Sequence, residues 1–172
     1  MKKNSPPNEK ARVILTVTKF NPTTSTTPGT TTYTMALIPW GTTHVALTSG
    51  QLTIGTKARL AVDFNIEIAS SPGDADLYLP VGVAFWPVKK GRRRIKTGEI
   101  DTVCQNFLKN DVRIRNGVLK FTDACDPCAD LVTFEFSVFL QRYSDGLWST
   151  IDPTIVHSES NEGTNGHRRR RR

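Results

Sequence analysis

Apolar and polar residues alternate with a period of two along most of this chain. The segment "ARLAVDFNIEI" is the clearest case. Leu60, Val62, Phe64, Ile66 and Ile68 fall on one face, and Arg59, Asp63, Asn65 and Glu67 on the other. That spacing predicts a half-buried strand. "LVTFEFSVFLQRY" repeats it, with Val132, Phe134, Phe136, Val138 and Leu140 directed inward. Between "DVRIR" and "VLKF" lies Asn116-Gly117, a dipeptide suited to a tight hairpin turn whose two central residues need positive φ. Weaker strands are expected in "RVILTVTKF", "YTMALIP", "HVAL", "QLTI", "LYLPVGVAFW" and "LWSTI". In the run ending "AFWP", Phe85 shares parity with Leu77, Leu79, Val81 and Val83 and is expected in the core. Trp86 shares parity with Tyr78 and is expected on the opposite face, in a second sheet or a subunit interface.

Two stretches depart from this period. "NPTTSTTPGTTT", residues 21–32, is a Thr/Pro loop too polar to be expected in a core. "GEIDTVCQNFLKND" offers one short helix, with Ile100, Val103, Cys104 and Phe107 at helical spacing. The pattern predicts an all-β fold: an antiparallel β-sandwich or jelly roll of about eight strands with a disordered basic C-terminal tail. Residues 1–10 are expected to be a flexible N-terminus, residues 11–156 the sandwich, and residues 157–172 the disordered arginine-rich tail.

Charge sharpens the picture. The chain has 23 basic and 16 acidic residues, for a formal net charge of +7. "VKKGRRRIK" contributes Lys89, Lys90, Arg92, Arg93, Arg94 and Lys96, and the terminus contributes Arg168, Arg169, Arg170, Arg171 and Arg172. Without those eleven, 12 basic residues face 16 acidic ones, so the remaining body is mildly acidic. Cations concentrated in this way answer a polyanionic partner. Nucleic acid, single-stranded RNA in the first place, ranks ahead of an anionic membrane surface. The eleven side chains are the candidate nucleic-acid-binding residues. Adjacent arginines repel one another, and a phosphate polymer relieves that repulsion while releasing its own counterions. The internal block also fits a hairpin tip kept polar by its cations, or a short nuclear-import signal.

Other chemistry finds little support. "CDPC", Cys125 to Cys128, supplies two of the four ligands that zinc requires. Cys104 with His44 or His157 would have to complete the set, so a turn at Asp126-Pro127 is the preferred reading. Three cysteines is an odd count and implies no disulfide framework, which fits synthesis in a reducing, intracellular setting. No nucleophile elbow, phosphate-binding glycine loop or His-Glu-x-x-His motif is present, and Asp74/Asp76 reads as a turn. Neither catalysis, a small-molecule substrate, a metal nor a cofactor is expected.

An acidic-to-neutral β body with detached arginine blocks resembles the small viral jelly-roll coat proteins, over roughly Ala11 to Val156 and in strand pattern only. The resemblance implies a capsid subunit that forms homo-oligomers, locates to the virion and host cytoplasm or nucleus, and condenses a genome with its basic segments. It also implies lateral contacts through exposed aromatics such as Trp40 or Trp148. In that family the basic arm is commonly N-terminal, whereas here the arginines come last. The competing readings are a viral movement protein or silencing suppressor that binds nucleic acid, and a cellular β-sandwich module with targeting blocks.

Overall fold

The computed structural model describes residues 8–38, 40, 44–55, 61–87, 107, 112–124 and 133–158. Within them the chain forms β1 (Glu9–Lys19), β2 (Thr32–Ile38), β3 (Val45–Thr48), β4 (Gln51–Gly55), β5 (Val62–Ser70) and β6 (Tyr78–Pro87). It continues with β7 (Arg113–Arg115), β8 (Val118–Asp123), β9 (Thr133–Arg142), β10 (Trp148–Ile151) and β11 (Thr154–Ser158). Two sheets result. The first runs in the order β2-β1-β5-β8-β7. In the second, β9 pairs with β6 on one side and with β10 and β11 on the other, and β11 leads on to β4 and β3.

The sheets pack as a sandwich because the alternating apolar residues of each meet in one core. Val62, Phe64 and Ile66 of β5 and Phe134, Phe136, Val138 and Leu140 of β9 are all buried, as their period predicts. A phenylalanine cluster closes the centre. Phe121 stacks on Phe64 at 5.2 Å within the first sheet and meets Phe85 at 5.0 Å and Phe136 at 5.4 Å across the core. The Phe107 ring stacks on Phe85, with centroids 4.6 Å apart and ring planes nearly parallel. Each fully buried phenylalanine contributes about 1.5–3 kcal/mol of transfer free energy, and each ring pair about 0.5–1.5 kcal/mol more. Phe107 thus faces inward as expected; the helix proposed around it otherwise lies outside the described residues.

Several expectations need correction. The sandwich is mixed, not wholly antiparallel, because β1 runs parallel to β5 and β11 parallel to β4. Strand period reports burial and is blind to direction, so nothing in the sequence marks these pairs. In β6 the pairing with β9 shifts between Pro80 and Gly82. The extra residue, Val81, reverses the alternation. Tyr78 is therefore buried while Leu77 and Val81 are each 52% exposed, contrary to a single parity for the run. Beyond the bulge Phe85 is buried and Trp86 exposed, as expected. The Asn116-Gly117 turn forms as predicted, with φ of 53° and 73°.

The Thr/Pro loop does reach the core. Thr31 is buried and donates its hydroxyl to Ser149 Oγ at 2.8 Å. Thr30 bridges Thr150, and the Thr31 and Thr23 amides donate to the carbonyls of Thr150 and Trp148. The loop clips an edge of the first sheet to β10 of the second. The strands also extend past the expected boundaries: β1 takes in Glu9 and Lys10, and β11 takes in His157 and Ser158. No helix among the described residues is long and apolar enough to cross a membrane.

Candidate functional site

Lys89, Lys90, Arg92, Arg93, Arg94, Lys96 and Arg168 to Arg172 lie outside the described residues, as do Cys104, Cys125 and Cys128. The strands that lead into the two basic blocks are described. β6 and β11 both run antiparallel to β9, on opposite sides of it. Pro87 of β6 and Ile155 of β11 each pair with Phe134. The two strands therefore run in the same direction and finish at the same end of the second sheet. One strand lies between them, a lateral separation of about 10 Å at ~4.8 Å per strand. The internal block begins one residue after β6, and the chain continues to the arginines after β11.

A second cationic feature lies on the outward face of the first sheet. Ladder partners share a face, and one cross-sheet row reads Ile38, Arg12, Asn65, Lys120, Arg113. Lys10, Asp63 and Thr122 follow toward the end of β8. Two cavities of about 320 and 310 Å³ open here, and Trp40, Asn65 and Lys120 line both. Trp40 is 54% exposed, and the Lys10 ammonium sits 5.7 Å from the centre of its ring.

The acids on this face are already engaged. Arg12 grips Glu67 with two bonds of 2.7 and 2.8 Å, and that hydrogen bonding holds the Glu67 carboxyl below its usual range. Asp63 accepts from the Asn8 amide at 3.0 Å and the Thr122 hydroxyl at 2.6 Å. Among the described residues, neither Lys10 nor Lys120 is in an ion pair. Sequence reasoning missed this face. Outward basic residues were legible in "VRIRNGVLKF", but the parallel pairing that brings Lys10 and Arg12 beside β5 was not.

The outward face of the second sheet is opposite in character. Its β6 and β9 positions are Leu79, Gly82, Ala84, Trp86, Glu135, Ser137, Phe139 and Gln141, with Trp148 and Thr150 beside them on β10. None is cationic. Trp86 and Trp148 are 39% and 44% exposed, and Phe139 lies against Trp148 at 6.2 Å. Glu135 is the one acid in this group. Burial first, and Asp152 second, raise its carboxyl pKa, while a hydrogen bond from Trp86 opposes them.

The two histidines considered as metal ligands are placed apart. His157 is not in a tail: it is buried on β11, with Nε2 at 2.8 Å from Asp123 Oδ2 of β8, tying the two sheets together. His44 pairs with Glu9. No group of three or more potential metal ligands occurs among the described residues. Asp74 and Asp76 form the expected turn, where Asp74 accepts from the Asp76 amide at 2.9 Å and the Tyr78 hydroxyl at 2.7 Å. No protein-family model matches the chain, and no curated protein matches it in sequence.

Proposed function

We propose that this protein is a self-assembling structural protein of the viral coat type, which binds a nucleic-acid genome through its two basic blocks. One observation carries the reading: the strands leading into both blocks, β6 and β11, end together on either side of β9. Had they ended at opposite poles, two unrelated partners would be the simpler account. Because the chain leaves both strands at one pole, the eleven cations can act on a single polyanion and displace its counterions together. Self-association falls to the second sheet, whose outward Trp86, Phe139 and Trp148 offer apolar area without cationic repulsion.

The test combines the purified full chain with single-stranded RNA at low salt, with assembly followed by electron microscopy and nuclease protection. Closed, protecting particles are expected. A Trp86→Ser/Trp148→Ser variant should retain RNA yet sediment as smaller species. Protein that stays monomeric with RNA across pH overturns the assembly role, and extended filaments point to a movement protein instead. Undiminished RNA retention after all eleven cations are changed to alanine overturns the binding role.

A further inference from the structure

The cationic face of the first sheet has features that an arginine block cannot supply. A run of arginines reads charge alone. Here an aromatic ring stands exposed between two cavities, with ammonium groups and a carboxamide around it. We infer that this face is a binding groove for single-stranded nucleic acid. A base stacks on Trp40, and the flanking phosphates lie on Lys10 and Lys120. The inference rests on the nucleic-acid reading above and adds to it a defined site on the folded body.

Four observations support this occupant. Trp40 is more than half exposed although Lys10 lies over its ring, so the indole has a face available for stacking. The two cavities share Trp40, Asn65 and Lys120, so they lie side by side and can take adjacent nucleotides. Their volumes of about 320 and 310 Å³ fall at the lower end of the range for small-ligand sites. Charge complementarity favours an anion, because Lys10, Arg12, Arg113 and Lys120 line the two cavities against the two carboxylates of Asp63 and Glu67, and Lys10 and Lys120 stand in no ion pair among the described residues.

Position supplies a fifth support. The first cavity reaches Thr122, next to Asp123, which bonds His157 one residue before the end of β11. A strand lying in the groove therefore runs toward the pole where the chain continues to the basic blocks. The base stacks through its π-face, so the groove is expected to tolerate sequence, with Asn65 placed to bond a base edge.

The experiment measures anisotropy of a labelled oligouridylate of about six nucleotides and of an abasic oligomer with the same number of phosphates, each with the full chain. The wild type should prefer the oligouridylate. Trp40→Ala should lower that affinity about 10- to 100-fold and leave abasic binding unchanged. Lys120→Gln should flatten the log–log salt dependence by about 0.7. Trp40→Leu, checked for an unchanged melting temperature, serves if the alanine variant folds poorly. Equal affinity for both oligomers in the wild type overturns the groove, as does a base preference that survives in a folded Trp40 variant. Displacement of the oligouridylate by a neutral oligosaccharide also overturns it. Retention of long RNA by the wild type and by the eleven-alanine chain is measured alongside. A wild type with no base preference but intact long-RNA retention removes this site alone, whereas a wild type that retains no RNA removes the wider reading.

Discussion

The clip between the two sheets turns on Gly29. A Cβ built there would lie 2.2 Å from the Asn21 carbonyl oxygen, 2.4 Å from the Pro22 carbonyl carbon and 2.5 Å from the Thr23 nitrogen. All three are backbone atoms, so no side-chain rotation relieves the clash. Opening the shortest contact to 3.0 Å requires a backbone shift of at least 0.8 Å. Three bonds depend on the present separation. The Gly29 amide donates to Thr23 Oγ1 at 2.8 Å, the Asn21 amide group to the Thr30 carbonyl at 2.8 Å, and the Thr23 amide to the Trp148 carbonyl at 2.8 Å. At about 1 kcal/mol net each, Gly29→Ala should cost roughly 2–4 kcal/mol. That is a large share of the ~5–15 kcal/mol by which domains are stable. Gly55→Ala is the matched control, since among the described residues a Cβ there meets only the His44 carbonyl oxygen, at 3.7 Å. It should be neutral, or stabilising by up to about 0.5 kcal/mol through reduced freedom of the unfolded chain. Urea denaturation of both variants decides the matter, with a melting point for Gly29→Ala lower by about 6–12 °C as a second readout. A Gly29→Ala protein within about 1 kcal/mol of wild type would refute the clip as a structural element.

Two further outcomes are expected. Phe121→Ala removes the ring that meets Phe64, Phe85, Phe107 and Phe136, and should cost about 3–5 kcal/mol in the same denaturation assay. The Tyr78 hydroxyl is pushed up to about 12, chiefly by burial and then by its bond to Asp74. The folded state therefore keeps a proton that the unfolded chain releases near 10, so stability falls as pH rises from about 10 to about 12. Tyr78→Phe should remove most of that alkaline loss, seen as a flatter dependence of the urea midpoint on pH between about 10 and about 12.

Much of this architecture was legible in the amino-acid sequence. Alternation in "AVDFNIEI" and "FEFSVFL" assigned inward and outward faces because a strand's side chains point to opposite sides in strict turn. Asn116-Gly117 announced its hairpin because few other dipeptides accept two successive positive φ angles. Charge clustering singled out the two basic blocks because it depends on composition along the chain and on no contact.

Tertiary structure alone decided the rest. Whether a strand lies parallel or antiparallel to its neighbour leaves no period in the sequence, so the pairing of β1 with β5 was invisible. With it went the groove that gathers Lys10, Trp40, Asn65 and Lys120 from separate segments. The bulge at Val81 shifted the parity of β6 because only the register with β9 fixes which residue is extra. His157 looked like part of a polar tail, and it became a core residue because Asp123 of the other sheet satisfies its ring nitrogen. Local sequence sets which face of a strand is apolar; which strands become neighbours is settled by the packing of the whole sandwich.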